Sequence, residues 1–225
     1  MPVWQPVAVD RGEAVRTWKA RRRTSPGQVE VLDRLRPLYE VAVDRPLDPV
    51  AVYGRTAPLV LEIGSGTGEA AAVMAAADPS RDLLAVEVHT PGIATLLRRV
   101  EQEGLANVRV AEADGLLVLT EAIAAGSLDE VRVFFPDPWP KSRHAKRRLV
   151  TASFAALVAD RLRPGGRLHV ATDWPSYAEQ VLAVVGASPD LELRSTDRSG
   201  RPSTRFERRG VAAGRPITDV VAVRR

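Results

Sequence analysis

From Pro58 onward, short aliphatic runs alternate with longer stretches of helical period, an order few architectures accept. Leu59 to Ile63 reads as a buried strand, Gly64 to Gly68 as a turn and Glu69 to Ala77 as alanine-rich helix. Leu83 to Val88 is a second strand, followed by a helix from Gly92 to Glu103. Val108 to Val110 is a third, with a helix after Gly115, and Val131 to Phe135 a fourth, with a helix from Leu149 to Leu162. Arg163 to Gly166 is a tight turn into a fifth strand, Arg167 to Ala171, and a helix from Ser176 to Val185. Two last strands, Leu191 to Arg194 and Asp219 to Val223, have no helical pattern between them. Strands separated by helices must pair in parallel, because each crossover carries the chain back to the starting edge. The last two predict an antiparallel hairpin. The expectation is an α/β fold: a mostly parallel seven-stranded sheet with a terminal antiparallel hairpin and helices on both faces.

Residues 1–57 stand apart as a basic N-terminal arm and helix, partly flexible, and 58–225 form the main domain. The arm holds Lys19-Ala20-Arg21-Arg22-Arg23 and a helix start at Thr24-Ser25-Pro26, where proline suits the first turn. Val29, Leu32, Leu35 and Leu38 follow at helical spacing, and Pro46 and Pro49 break the pattern. The N-terminus lacks a basic region followed by an apolar stretch, which argues against a secretory signal, and no apolar run is long enough for a membrane span. The chain has no cysteine and three histidines, which excludes disulfides and thiolate chemistry and leaves no convincing metal set. A cytoplasmic protein, monomeric or homodimeric, is expected.

Charge is unevenly spread. Residues 58–140 are net −8, whereas 141–225 are net +9 and 1–57 net +3. Of 32 basic residues 29 are arginine, the fork-shaped phosphate donor, although a GC-rich genome also produces arginine and alanine in excess. An acidic middle between basic ends suits two partners, a cationic or neutral small ligand and a polyanion.

The small-ligand site is placed by the turn Gly64-Ser65-Gly66-Thr67-Gly68 after the first strand. In open α/β sheets ligands bind beyond the carboxyl ends of the strands, at the point where strand order reverses. The G-x-G-x-G spacing differs from the G-x-G-x-x-G of dinucleotide binders. Glu87 ends the second strand 21 residues after Gly66, where a carboxylate can accept both ribose hydroxyls. Asp114 follows the third strand and either accepts from an adenine amino group or caps the next helix. A nucleoside without pyrophosphate, bound in an acidic segment, fits S-adenosylmethionine, a sulfonium cation.

The fourth strand runs into Phe134-Phe135-Pro136-Asp137-Pro138-Trp139-Pro140 and then Lys141-Ser142-Arg143-His144-Ala145-Lys146-Arg147-Arg148. Three prolines stiffen the loop. A carboxylate there can accept from the Watson–Crick edge of guanine, and an indole can stack on an unstacked base. The following eight residues hold five positive charges and no negative one, a surface suited to phosphate. Loop packing of Trp139 and a solvated basic helix start are the structural alternatives. Thr172-Asp173-Trp174 and Thr204-Arg205-Phe206-Glu207 leave the same edge of the sheet or follow it.

Glu62-Ile63-Gly64-Ser65-Gly66-Thr67-Gly68-Glu69, Phe135 to Lys141, Ala171 to Trp174 and Thr204 to Glu207 resemble, in order and spacing, the bacterial tRNA (guanine-N7-)-methyltransferase family. The resemblance covers nearly all of residues 58–225 and implies a Rossmann-like class I methyltransferase fold. It implies transfer of a methyl group from S-adenosylmethionine to N7 of the variable-loop guanine (guanine-46) of tRNA. Glu62, Gly64, Gly66, Gly68, Glu87, Asp114 and Asp137 would then line the cofactor, and Asp137 would also be catalytic. Lys141, Asp173, Thr204, Arg205, Phe206 and Glu207 would contact the substrate, and Arg143, His144, Lys146, Arg147 and Arg148 would face RNA. Ser142, Ala145, Gly115 and Arg22 depart from the family pattern. The competing readings are a nicotinamide-dependent oxidoreductase, a methyltransferase acting on another RNA or a small molecule, and a non-catalytic RNA-binding protein on the same fold. The glycine spacing counts against the first, the basic run against a small-molecule substrate, and the presence of Glu87 and Asp137 against the last.

Overall fold

The computed structural model describes residues 24–198 and 200–225; the basic run at Lys19 to Arg23 lies outside them. Seven strands form one sheet: β1 (Leu59–Ile63), β2 (Asp82–Glu87), β3 (Val108–Glu112), β4 (Leu128–Phe134), β5 (Leu162–Thr172), β6 (Leu191–Ser195) and β7 (Thr218–Arg224). Their order is β3-β2-β1-β4-β5-β7-β6, parallel from β3 to β5, with β7 antiparallel to β5 and β6. The order reverses between β1 and β4, so the crevice at their carboxyl ends is the switch point. Every residue of β1 is buried, as expected of a central parallel strand covered on both faces.

Helices α1 (Pro26–Tyr39), α2 (Pro49–Tyr53), α3 (Glu69–Ala77), α4 (Thr90–Gln102), α5 (Gly115–Leu117), α6 (Ala152–Arg161), α7 (Pro175–Ala187) and α8 (Arg205–Ala212) complete the fold. Two cores form because alternate strand residues face opposite ways. Leu59, Leu61 and Ile63 pack with Phe154 of α6 and Tyr177 of α7. Val60, Leu83 and Val108 pack with Ala71 of α3, Ile93 of α4 and Leu35 of α1. Tyr177 is fully buried. Its hydroxyl accepts from the Val150 amide at 3.0 Å, and burial pushes its pKa up to about 12.

Four local differences from the sequence reading have physical causes. Helix α1 starts where expected, with Ser25 and Gln28 in a reciprocal capping box. It buries Val31, Leu32 and Leu35, however, and leaves Val29 and Leu38 exposed, because it lies across α4 and the β3 edge. Pro49 starts α2 rather than ending a pattern, with Asp48 accepting from the Val50 and Ala51 amides. The turn at Arg163 to Gly166 loops out inside β5: Leu162 pairs with Leu128 and the next partners are Arg167 and Glu130. Helix α8 occupies the stretch between the last strands, where charge hides apolar periodicity.

Candidate active site

The glycine turn joins the carboxyl end of β1 to α3. Gly64, Gly66 and Gly68 all have positive φ, at 76°, 58° and 71°, a region that penalises any Cβ. Their backbone reaches across to Glu87 at the end of β2. The Gly66 amide donates to Glu87 Oε2 at 2.7 Å, and the Val88 and His89 amides donate to Oε1 at 2.7 and 2.9 Å. One hydrogen bond ties this carboxylate to the glycine loop, and two from the following residues fix its orientation.

Glu62, on β1, is 2% exposed, and its Oε2 has no hydrogen-bond partner among the described residues. Burial pushes its carboxyl up to about 7, opposed by the charge of Arg132. A buried, under-satisfied acid calls for a donor or cation. Asp114 caps α5, its Oδ1 accepting from the Leu116 amide at 2.8 Å, so the helix-cap alternative is realised. Gly115 sits against β1: a Cβ there would lie 2.4 Å from Ile63 Cγ2. The departure at this position therefore has a steric reason. The open glycine loop, the anchored Glu87 and the orphaned Glu62 oxygen fit a cationic nucleoside such as S-adenosylmethionine.

The loop after β4 stands beside this. Phe135 still pairs with β5, its amide donating to the Ala171 carbonyl at 2.7 Å. Phe135 and Trp139 have φ of 53° and 45°, conformations costly for bulky side chains and found where surroundings over-determine them. Asp137 lies between these two left-handed turns, exposed at the surface. Shielding by the loop raises its carboxyl above the usual aspartate value. The Arg147 guanidinium lies 5.0 Å from the Trp139 ring centroid, and the His144 ring packs edge-on to the same indole at 6.0 Å. Ser142–Arg147 forms a 3-10 helix that displays Lys141, Arg143 and Lys146 on the surface and half-buries His144 and Arg147. Partial burial and then the charges of Arg147, Arg143 and Lys141 hold the His144 imidazole below its ordinary pKa.

A model for a family described as "Putative methyltransferase" matches residues 56–220. The tRNA (guanine-N(7)-)-methyltransferase of Streptomyces avermitilis is 48% identical over 217 residues, covering 92% of this chain and 74% of that protein. The protein of the same name from Burkholderia cenocepacia is 48% identical over 205 residues, covering 88% and 80%. The one from Polaromonas naphthalenivorans is 42% identical over 229 residues, covering 97% and 93%. The chain belongs to the tRNA (guanine-N(7)-)-methyltransferase family. Solved methyltransferase structures share the fold of this family member at low identity. The 16S rRNA methyltransferase KamB has a TM-score of 0.57 at 16% identity, covering 76% of this chain and 90% of that one. TrmN from Thermus thermophilus has a TM-score of 0.54 at 16% identity, covering 88% and 48%.

In this methyltransferase several residues expected at the substrate are turned inward. Arg148 is 5% exposed. It donates to the Pro138 carbonyl at 2.9 Å, to the Ser176 carbonyl and hydroxyl at 2.9 Å each, and to Gln180 Oε1 at 3.0 Å. It therefore ties the Asp137 loop to α7, correcting its assignment to the RNA face. Asp173 Oδ2 accepts from Arg215 Nε and a terminal nitrogen at 2.9 and 2.7 Å. Thr204 caps α8 by accepting from the Glu207 amide at 3.3 Å, and both side chains are buried. Arg205 and Phe206 point outward. The edge of the Phe206 ring lies beside the glycine loop, 3.9 Å from where a Gly66 Cβ would stand. The Arg205 amide donates to Glu69 Oε2 at 2.6 Å, and Arg208 reaches Glu69 Oε1 at 2.7 Å.

Sequence reasoning missed the groups that support these elements: Glu69, Arg201, Arg215, His169 and Asp219. His169 and Asp219 carried a signal, being polar residues in otherwise aliphatic strands. Thr204-Arg205-Phe206-Glu207 carried another, the spacing of an N-terminal helix cap. Glu207 nevertheless turns its carboxylate to Arg201 rather than back to Thr204. Among the described residues no group of three metal-ligating side chains occurs, and no helix is long and apolar enough to cross a membrane.

Proposed function

We propose that this chain transfers the methyl group of S-adenosylmethionine to N7 of a guanine in tRNA, namely the variable-loop guanine-46. The observation that carries the reading is the placement of Asp137. It sits on a proline-stiffened loop with two left-handed turns, between the glycine loop of β1 and the exposed Lys141, Arg143 and Lys146. Glu87 holds the ribose and Glu62 the charged end of the cofactor. Bound there, S-adenosylmethionine supplies an electrophilic methyl group that the N7 lone pair accepts, leaving the sulfur neutral and the base cationic.

Guanine N7 carries no proton, so the protein needs no general base. Its work is to orient the base and to favour the positive charge that grows on it. Asp137 does both, accepting from N1–H and the N2 amine while opposing the developing charge. Arg205 and Phe206 flank the base from the α8 side. The exposed cations of the 3-10 helix hold the phosphate backbone without reading sequence. In this reading residues 58–225 carry the chemistry, 1–57 add a basic arm and helix, and a tRNA substrate agrees with a cytoplasmic protein.

Digesting tRNA to nucleosides after reaction tests the proposal: a mass gain of one methyl group on guanosine, mapped to N7, is expected. Asp137→Asn should lower the single-turnover rate at saturating cofactor and tRNA by about 10²–10³, as for loss of one preorganised electrostatic group. A wild-type rate for that variant would remove the electrostatic role.

A further inference from the structure

Arg201 lies in the segment between β6 and α8, and its guanidinium is fully buried. A permanent charge held away from water persists only where partners replace its hydration. Here Nε and one terminal nitrogen donate to the two oxygens of Asp219, on β7, at 2.6 and 2.8 Å. The other terminal nitrogen donates to Glu207 of α8. Asp219 Oδ1 is also within 2.8 Å of His169 Nε2, on β5. The guanidinium carbon lies 5.1 Å from the centroid of the Phe135 ring and 5.8 Å from that of Phe134.

One side chain thus touches the turn that leads to Asp137, β7 and, through Asp219, His169 of β5, and the helix start that carries Arg205 and Phe206. Phe135 is the strained member, with φ of 53°, and a strained turn keeps its shape only while its surroundings over-determine it. The Arg201 guanidinium over its ring supplies that constraint, and the fork to Asp219 and Glu207 fixes the guanidinium in place.

We propose that Arg201 is a positioning residue for methyl transfer, holding the Phe135 turn, and through it Asp137, in fixed relation to the start of α8. The inference rests on the reading of Asp137 given above. Lysine keeps the charge but loses the planar fork and the stacking surface. Leucine at Phe135 removes the ring and leaves the ion pairs.

The test compares wild type, Arg201→Lys, Phe135→Leu and the double variant in single-turnover methyl transfer, with cofactor affinity measured by calorimetry. Each single variant should slow transfer by about 10- to 100-fold, the scale of a small misplacement at a reacting centre. Cofactor affinity should stay within about twofold. The double variant should be no slower than the slower single, since both remove one contact. A wild-type rate in folded Arg201→Lys, or losses that multiply in the double variant, overturns the proposal. Where Arg201→Lys does not fold, Phe135→Leu decides: slowed transfer at unchanged cofactor affinity supports the proposal, and a wild-type rate overturns it. Asp137→Asn in the same assay separates the two readings. If it is slow while Arg201→Lys is not, only the Arg201 inference fails; if it transfers at the wild-type rate, both do.

Discussion

Glu87 and Arg148 illustrate how differently two charged residues near one site are used. Glu87 accepts one backbone amide of the glycine loop, that of Gly66, and the amides of Val88 and His89 that follow it in the chain. Its carboxylate is thereby fixed where the ribose of the cofactor is expected. Glu87→Ala should cost about 2–3 kcal/mol of cofactor affinity, the loss of two charge-assisted hydrogen bonds. Titration by calorimetry measures this, and unchanged affinity in the folded variant would assign Glu87 to loop structure alone. Arg147 and Arg148 are adjacent and chemically identical, yet Arg148 is buried with four hydrogen bonds and Arg147 lies on Trp139 at the surface. Arg148→Ala should destabilise the fold by about 3 kcal/mol or more, the range for breaking a buried polar network. Arg147→Ala should leave stability nearly unchanged and lower the salt slope of tRNA binding by roughly one unit. Equal melting temperatures for the two variants would contradict this division.

At the scale of elements, the site depends on close approaches between chain segments. Helix α5 abuts β1 so tightly that only glycine fits at 115 beside the branched Ile63. Gly115→Ala should therefore overpack the junction and cost about 1–3 kcal/mol. Adding Ile63→Leu, which removes the branch at Cβ, should recover part of that loss. Denaturant titration of the single and double variants checks it, and a fully stable Gly115→Ala would show that α5 shifts freely. Helix α8 is fastened at both ends. Glu69 receives its first amide, and Gly210 packs against Asp173, where a Cβ would meet Asp173 Oδ2 at 2.8 Å. Its exposed Phe206 is thereby carried beside the glycine loop by elements far apart in sequence.

For the whole molecule, two buried acids on neighbouring strands give opposite pH dependences. Glu62 is raised by burial from 4.5 to about 7. As pH rises from 4.5 through 7 the unfolded chain gives up this proton first, so the group's contribution to stability falls. Burial would raise Glu130 too, but hydrogen bonds and charge from Arg132 and Arg167 outweigh it and hold it at about 2. Its contribution is complete above the ordinary glutamate range and is lost as pH falls toward 2. Glu62→Gln should therefore gain stability relative to wild type between about pH 5 and about pH 8. Chemical denaturation at the two pH values measures the change, and a constant difference would show that Glu62 titrates normally. The uneven charge of the sequence also acquires a place: acidic Glu62, Glu87 and Asp114 belong to the β1–β3 side, while the exposed cations of the 3-10 helix and α8 border it.

The alternation of strands and helices from β1 to α7, the glycine turn, Glu87 at the end of β2 and the Asp137 loop were legible in the sequence, whereas α2 and α8 were not. Each is written in local signals: apolar period, glycine where φ must be positive, proline where a loop must be stiff. Thr204 and Glu207 were found as a motif, but whether a side chain faces substrate or the interior depends on what packs beside it. Only the tertiary structure placed Arg201 between Asp219, Glu207 and the Phe135 ring, and Arg148 beneath the loop rather than on the surface. An isolated arginine in a charged segment looks the same whether solvated or buried. The difference lies in carboxylates, carbonyls and rings brought to it from distant strands and helices, and no local pattern records those contacts.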